Sequence, residues 1–494
     1  MLASMVGGNI IAHMKSKIHS SVIPLSLAIF YVFAAILSRL ALFRLPAWTI
    51  FFAVLFLLLA VCARNLARIL LASLAGFVLG FYQHGYYLSQ EKLLTDYFDQ
   101  ELIIELRLVG DLQEKKNSLR GRGELISYNY IISTTKSQIY LNFKSVSVEL
   151  HEGDILRVKG KMSRGFGDYA AAITNPELLS ISRSPPSFLR RLRQSFISRL
   201  RSVFDGDDCS SLALAYLIGD KRSLSDDFLG QLRNVGLSHI VVASGFHLGV
   251  VISLARRFLG KISRFAAVAG AGFLIVIYLA LIGLSASLLR AGIVSTMTLC
   301  FDYFGRRLHP ARAIVYAIAL SLIYDPGFLT NVGWLLSFAA YASIVIIVPI
   351  VQRFLYGSGK VSWVAQIFIT TVAAQIGCAP VSLYFFGGLS FLGIIANLLI
   401  SPTIPMAMGL SFVSSILPIC AIPAKLILKL QIAIVGLLSK WRWGILSIES
   451  GNWYVFLLYL PIISMVLYMA WRERFRFRSR RLAKTQKYGK IYLC

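Results

Sequence analysis

Polar side chains interrupt a long apolar segment near the middle of the chain. The segment is GLSHIVVASGFHLGVVISL, residues 236–254, and it contains His239, Ser244 and His247, with Gly245 directly after the serine. Ionisable groups inside a membrane-length segment are costly and usually face a cavity or a partner. Gly245 allows a helix to break, and freed backbone groups are tolerated only in a wet or protein-lined site. The segment therefore predicts a polar site within a membrane; the structural alternative puts His239 at the outer interface and His247 in a hydrogen bond between helices.

Three further polar residues lie within later apolar runs: Arg290, Gln375 and Asn397. Together with the 239–247 segment they would form a polar path, and Arg290 would give this path a positive charge. An anion needs such a path because it cannot enter hydrocarbon. Arg290 has a simpler alternative role, since a long basic side chain near the end of a span can extend to the lipid headgroups.

Two other classes of function fit the same residues less well than a polar path for an anion. A small-solute transporter is the first alternative, because a broken helix alone would serve it. A polytopic membrane hydrolase with Ser244 as its nucleophile is the weaker one. The nucleophile needs a base within hydrogen-bond reach, yet no later apolar run contains a histidine, and His309 lies in a basic turn.

The sequence predicts no catalytic residue, no metal site and no cofactor. Its seven histidines include no HxH or HxxxH pair, and no carboxylate–histidine cluster has the spacing of metal ligands. The six cysteines include no CxxC pair, so we interpret them as packing residues.

The composition excludes a soluble globular enzyme. Of 494 residues, 57% are hydrophobic and only 15% are charged, whereas soluble domains carry about 25% charged residues. Apolar runs near the length that crosses a bilayer recur along the chain. They predict a polytopic α-helical membrane protein with about twelve spans, near 21–37, 47–62, 66–82, 237–256, 265–284, 286–304, 311–324, 332–351, 362–384, 390–416, 425–447 and 454–471.

The positive charges predict the topology. The chain has 50 Lys and Arg against 23 Asp and Glu, a net charge of +27. Basic turns such as 64–68, 256–264 and 306–312 mark cytoplasmic loops. This pattern predicts that both termini are cytoplasmic and that residues 98–185 are outside the membrane on the other side.

The polar region differs from the rest of the chain. Short β-rich stretches alternate with Gly, Asn and Ser turns across residues 98–185, and ILRVK at 155–159 alternates as a half-buried strand does. Four or five such strands predict a small inserted all-β barrel of the OB type.

A basic amphipathic stretch follows the barrel. Residues 186–204 carry five arginines between apolar residues at helical spacing, which predicts an interfacial helix. The predicted organisation is N-terminal transmembrane helices at 1–89, the OB-like domain at 90–185, the interfacial helix at 186–204, a transmembrane channel domain at 205–471 and a basic cytoplasmic tail at 472–494.

An ordered set of motifs resembles the ComEC competence-protein family, the inner-membrane channel proteins of bacterial DNA uptake. The sequences of that family contain, in this order along the chain, an LGDR-type turn, a motif like G-L-S-H-L-L-A-V-S-G-L-H-x-G and a motif like S-x-S-x-x-R-A. The matching residues here are 218–222, 236–249, 285–291, 324–326, 333–338, 374–375, 380, 386–388, 397–398 and 402. The barrel is also similar to the family's OB domain.

The resemblance implies transport of single-stranded DNA across the cytoplasmic membrane during natural transformation. It implies a DNA path formed by His239, Ser244, Gly245, His247, Arg290, Gln375 and Asn397. On the barrel, Arg157 and Lys159 are candidate phosphate contacts, and Tyr128 and Tyr140 are candidate stacking residues. Aromatic residues in small strands are more often part of the core, and a charge-neutral barrel argues against tight binding by it alone.

One departure from the family bears on the chemistry. Many members end in a metallo-β-lactamase-like domain with an HxHxDH motif, and this sequence has none. We therefore expect that the protein is not a nuclease and that a separate nuclease acts with it. A separate DNA receptor is expected too. A cytoplasmic ATP-driven motor is also expected as a separate protein, because the sequence has no GxxxxGK[ST] loop. The lipid bilayer is the remaining partner, and the sequence leaves the oligomeric state open.

Overall fold

The structure is a computed structural model, and its described residues form two compact units. The units are Met1–Arg191 with Val315–Asn331, and Leu192–Ile314 with Val332–Cys494. The residues that the structure describes are 22–41, 66–109, 112–115, 118–128, 131–132, 138–144, 150–165, 169–185, 188–205, 207–219, 223–241, 245–283, 285–357, 359–441, 444–469 and 472.

Two helices of the first unit pack through small residues. Helix α1 is Val22–Ala41 and helix α2 is Leu66–Thr95. A Cβ added at Gly76 or Gly80 would lie 2.3 Å from a backbone oxygen of α1, so only glycine allows this approach. Small residues at this spacing let membrane helices pack closely. The predicted span 47–62 lies outside the described residues.

A closed barrel follows these helices. Its strands are β1 Glu101–Leu108, β2 Gln113–Lys115, β3 Ser118–Tyr128, β4 Ile131–Ile132, β5 Gln138–Phe143, β6 Ile155–Arg164, β7 Ala171–Thr174 and β8 Glu177–Ser182. The order β1-β3-β5-β7-β6 closes through pairing of β1 with β6, and only β5 and β7 are parallel among these pairs. Alternate side chains of β1, β5 and β6 fill the core, including Ile104, Ile139 and Leu156. The predicted small OB-like barrel is confirmed.

The remaining helices are mostly apolar. They are α3 Phe188–Val203, α4 Asp208–Ile218, α5 Asp226–Val235, α6 Gly245–Leu259, α7 Arg264–Ile282, α8 Ala286–Tyr303, α9 Pro310–Tyr324, α10 Val332–Tyr356, α11 Trp363–Phe386, α12 Leu392–Ile400, α13 Ile404–Ser414 and α14 Ala421–Ser439. The short strands β9 Gly388–Ser390 and β10 Ile445–Ser447 pair with each other. A last helical segment is Trp453–Met469.

The described helices do not account for all of the spans that the sequence predicted. Among the described residues, 6 helices are long and apolar enough to cross a membrane, or 7 if the bent pair α12 and α13 is one span. Twelve spans are therefore not confirmed. Two physical reasons account for much of the difference: α6 and α9 have only 15 residues each, and α8 contains charged Arg290 and Asp302.

The basic stretch after the barrel is helical, as the spacing of its apolar residues predicts. In α3, Phe188 and Leu192 are exposed while Leu200 is buried. An exposed apolar row beside arginines is typical of a helix at the membrane surface.

Candidate functional site

Helix α6 begins at Gly245, inside the segment that the sequence singled out. Residues 237–241 before it are not helical, and Ser244 lies outside the described residues. A Cβ added at Gly245 would lie 2.9 Å from Nη2 of Arg290 and 3.1 Å from Cβ of Ala291. The absence of a side chain at Gly245 thus leaves room for the guanidinium of Arg290 against the start of α6.

Arg290 is held by residues of α8 and α10. Its Nε donates to Oγ of Ser337 over 2.6 Å, and Oγ of Ser287 lies 3.1 Å from the same hydroxyl. The guanidinium carbon lies 5.2 Å from the ring centre of Tyr341. Ser287 and Arg290 are three residues apart, and Ser337 and Tyr341 four, so each pair shares one face of its helix.

The charge of Arg290 has no carboxylate partner among the described residues. The side chain is half-buried in an apolar helix. The same helix carries Asp302 at its other end, where Nη2 of Arg256 lies 3.2 Å from the carboxylate. Arg256 is therefore paired with an acid, whereas no described carboxylate pairs with Arg290.

His247 is 1% exposed and packs against Tyr216 of α4, with ring centres 5.8 Å apart. The Tyr216 hydroxyl donates to Oε1 of Gln431 over 3.1 Å, and Nε2 of Gln431 donates to Oγ1 of Thr403 over 2.7 Å. His239 is exposed. These polar groups connect α4, α6 and α14 with the bend between α12 and α13.

Sequence reasoning missed Tyr216, Gln431 and Thr403. The three residues lie in mostly apolar stretches and are far from one another along the chain. Thr403 directly follows Pro402, and that proline was the available signal of a bend with free backbone groups. Nothing in the spacing indicated that the three side chains meet.

Gln375 and Asn397 form hydrogen bonds within the protein. Nε2 of Gln375 donates to the Ser390 carbonyl over 2.5 Å, and Nδ2 of Asn397 donates to Oγ1 of Thr371 over 2.6 Å. Ser401 also donates to the Asn397 side chain. Both amides thus fix the non-helical connections at either end of α12.

On the barrel, the structure corrects the expectation for Tyr128. The side chain is 7% exposed and belongs to the barrel core, where its ring centre lies 5.0 Å from that of Tyr97. Burial raises the pKa of the Tyr128 hydroxyl. A buried ring has no free face on which a base could stack.

Arg157 and Lys159 are paired with acids of the neighbouring strand. Nε of Arg157 lies 3.8 Å from Glu105, and Nζ of Lys159 lies 3.5 Å from Glu101. The β1–β6 face therefore carries a row of ion pairs, in which each of these two cations already lies beside an acid of the protein.

Tyr140 lies on a different face of the barrel, formed by β3 and β5. Its cross-strand partner is Arg122, whose guanidinium carbon lies 5.8 Å from the ring centre of Tyr169. The rings of Tyr140 and Tyr169 are 5.3 Å apart, edge to face. No described carboxylate forms an ion pair with Arg122 or with Arg120, which follows the same row. We name Arg120, Arg122, Tyr140 and Tyr169 the arginine–tyrosine face.

Sequence reasoning missed three members of that face. The signal was the alternation of Arg120 and Arg122 in SLRGRGE, residues 118–124, which places both arginines on one side of a strand. Within the part of the chain that the structure describes, no three His, Cys, Asp or Glu side chains are grouped so that they could hold a metal ion.

Comparison with known families identifies the helical region. The family model described as Competence protein matches residues 216–475, more than half of the chain. The chain belongs to the competence-protein family. The match contains the α6 segment, Arg290 and its supporting residues, and the bend between α12 and α13.

Individual relatives are similar over different shares of the chain. ComE operon protein 3 of Bacillus subtilis is 27% identical over 213 residues, which are 43% of this chain and 26% of that protein. Recombination protein 2 of Haemophilus influenzae is 23% identical over 377 residues, 72% of this chain and 44% of that protein. The chain thus spans less than half the length of these two relatives.

A third relative is closer in length. An uncharacterized protein of Mycoplasma genitalium is 26% identical over 286 residues, 56% of this chain and 70% of that protein. No solved structure matches the chain. Family membership together with the apolar helices makes this competence protein a multi-pass membrane protein.

Proposed function

We propose that this protein passes single-stranded DNA across the cytoplasmic membrane during natural transformation. The observation that carries the proposal is Arg290, a half-buried cation in an apolar helix without a carboxylate partner among the described residues. Family membership supports it, since the match covers the helices that surround Arg290. A DNA strand brings one negative charge with each phosphate, which is the group that an unpaired guanidinium binds.

The proposed path follows the polar residues of the competence domain. His239, Gly245 and Arg290 line it at the start of α6, and the backbone break there lets helix ends face phosphate. Ser244, which precedes Gly245 in the sequence, is assigned to the same path. His247, which is buried against Tyr216, supports the wall of the path. Gln375 and Asn397 hold the connections around α12 and so support the wall of the path. No residue of the path has a catalytic role in this proposal.

The barrel holds the incoming strand in the same proposal. We assign this role to the arginine–tyrosine face, because Tyr140 and Tyr169 offer rings for base stacking and Arg122 offers a cation that forms no ion pair with a described carboxylate. Arg157 and Lys159 contribute less, since Glu105 and Glu101 already neutralise them.

The orientation follows from the basic loops. Both termini are cytoplasmic and the barrel is outside. Reporter fusions at Lys136 and Lys490 report opposite sides if this orientation is correct; the same side for both contradicts it. The same proposal includes a DNA receptor, a nuclease and an ATP-driven motor as partners of this protein.

A small-solute transporter is the second candidate. The bend of 49° between α12 and α13, next to the hydrogen bond between Thr403 and the buried side chain of Gln431, favours it, because transporters bind substrates at broken helices. Deletion of the gene separates the two. If DNA passes through this protein, the deletion strain loses transformants and labelled DNA in the cytoplasm. If uptake of labelled DNA is unchanged in that strain, the proposed function is wrong.

A further inference from the structure

The guanidinium of Arg290 is fixed in one orientation. Nε donates to Ser337, Ser287 lies beside that hydroxyl, and the Tyr341 ring lies beside the guanidinium. Arginine has five N–H donors, and the bond to Ser337 uses the one on Nε. The four donors on the two Nη atoms remain, and Nη2 points to the space that Gly245 leaves empty.

This arrangement differs from that of an arginine that extends to the membrane surface. Such a side chain needs only a long flexible stem, and its head is solvated by water and headgroups. Arg290 instead has two residues of another helix, Ser337 and Tyr341, that hold its head group. A supported guanidinium loses less rotational freedom when it binds, and its two Nη atoms match two oxygens of one phosphate.

We propose that Ser337 and Tyr341 are positioning residues that orient Arg290 so that it binds one phosphodiester group through its two Nη atoms. We name this binding site the phosphodiester seat. The inference rests on the proposed function for the source of that group, which is the backbone of a single DNA strand. A phospholipid headgroup carries the same diester, so both sources are tested.

The first experiment measures the contact with DNA. The full-length protein in nanodiscs of phosphatidylcholine is titrated with a fluorescent oligothymidylate at several salt concentrations. Ser337→Ala should weaken binding about fivefold, the usual effect of one lost hydrogen bond. Both Ser337→Ala and Arg290→Lys should also reduce the slope of log K against log salt, by up to about 0.7, because one phosphate contact on a single strand contributes that much.

Three controls separate positioning from a general structural effect. Ser337→Thr keeps the hydroxyl and should restore wild-type binding and salt slope. Ser295→Ala removes a hydroxyl from α8 away from Arg290 and should change neither. An oligonucleotide with an uncharged methylphosphonate backbone should bind the wild type and Ser337→Ala equally. If Ser337→Ala lowers binding of charged and uncharged strands by the same factor, the positioning role is wrong.

The second experiment tests the lipid source. The same variants are placed in nanodiscs that contain labelled phosphatidylglycerol, and bound lipid is counted by native mass spectrometry without DNA. Loss of lipid from Ser337→Ala and Arg290→Lys, with an unchanged salt slope for DNA, supports the phosphodiester seat and assigns it to a headgroup. If neither the salt slope nor the bound lipid changes, the seat does not exist.

The outcome for the seat is separable from that for the proposed function. The variants are also expressed in the deletion strain at wild-type abundance. If the deletion abolishes uptake and both Ser337→Ala and Arg290→Lys restore it fully, the seat is wrong and the function stands. If the deletion leaves uptake intact, the function is wrong, and the two binding experiments still decide whether the seat exists.

Discussion

The cations of the β1–β6 face and Arg290 of the helical unit are opposite cases. Arg157 and Lys159 lie on an exposed barrel, and each has an acid on the adjacent strand. Arg290 lies half-buried in an apolar helix, and a serine and a tyrosine support it where an acid would be expected. An exposed ion pair contributes little energy, whereas an unpaired charge in a membrane segment is costly to keep. The pairing of a cation, rather than its presence, therefore indicates where an anionic ligand binds.

The largest expected effect comes from removing the unpaired cation. Arg290→Ala should lower DNA internalisation by at least about tenfold, the scale for truncating one partner of a buried charged contact. Arg290→Lys should retain part of the activity because a point charge still attracts phosphate. The matched control is Arg157→Ala, which removes a paired cation and should transform nearly as wild type. The measurement is transformants per labelled DNA bound, at equal protein abundance. If Arg290→Ala and Arg157→Ala transform equally well, pairing with an acid does not distinguish the roles of the two cations.

The space at Gly245 gives the next effect. Gly245→Ala puts a methyl group 2.9 Å from Nη2 of Arg290, so the guanidinium has to move. Added volume at a close contact costs about 1–3 kcal/mol, and we expect internalisation to fall about tenfold. Gly249→Ala is the control, because a Cβ at Gly249 meets no atom within 4 Å. If the two variants transform alike, Arg290 does not need this space.

A fully paired polar group should affect stability rather than uptake. Tyr216→Phe removes the donor to Gln431 and leaves the ring that packs against His247. We expect the free energy of unfolding to fall by about 1 kcal/mol, with internalisation normal at equal abundance. Unfolding in mixed micelles measures the first quantity and transformation the second. A strong loss of uptake in a stable Tyr216→Phe protein would place this hydroxyl in the path.

The smallest effect is expected on the barrel. Arg122→Ala should weaken binding of single-stranded DNA by the full-length protein about threefold, in line with an exposed cation next to aromatic rings. Lys159→Ala should leave binding unchanged, because Glu101 neutralises Lys159. Fluorescence anisotropy at fixed salt compares the two. A larger loss of DNA binding in Lys159→Ala than in Arg122→Ala would indicate that DNA binds the β1–β6 face.

The sequence predicted the barrel correctly because its signal is local. Strict alternation along β6 and turn residues between strands are visible within a few residues, and they imply a closed sheet. The signal for the proposed binding face is not local. It depends on register, which places Glu105 beside Arg157 and Arg122 beside Tyr140. Without register, Arg157 and Arg122 are equivalent residues in alternating strands.

The helical unit shows the same limit in another form. The motif around Gly245 predicted an unusual segment, and α6 begins at that glycine. The support of Arg290 by Ser337 could not be predicted, because the two residues lie 47 positions apart on different helices. Apolar runs alone also leave the number of spans unconfirmed among the described residues, since a run shows hydrophobicity but not where a helix begins or bends.

The bend between α12 and α13 has a consequence for how the chain is made. Helix α12 has 9 residues and α13 has 11, so each half is roughly 14–17 Å long and cannot cross a bilayer core of about 30 Å by itself. At the connection, Thr403 accepts its hydrogen bond from Gln431 of α14, which the ribosome produces later. Residues 392–414 therefore reach their final place only after α14 has been synthesised. Chains truncated between α13 and α14 should leave this segment incompletely inserted and open to proteases of the membrane.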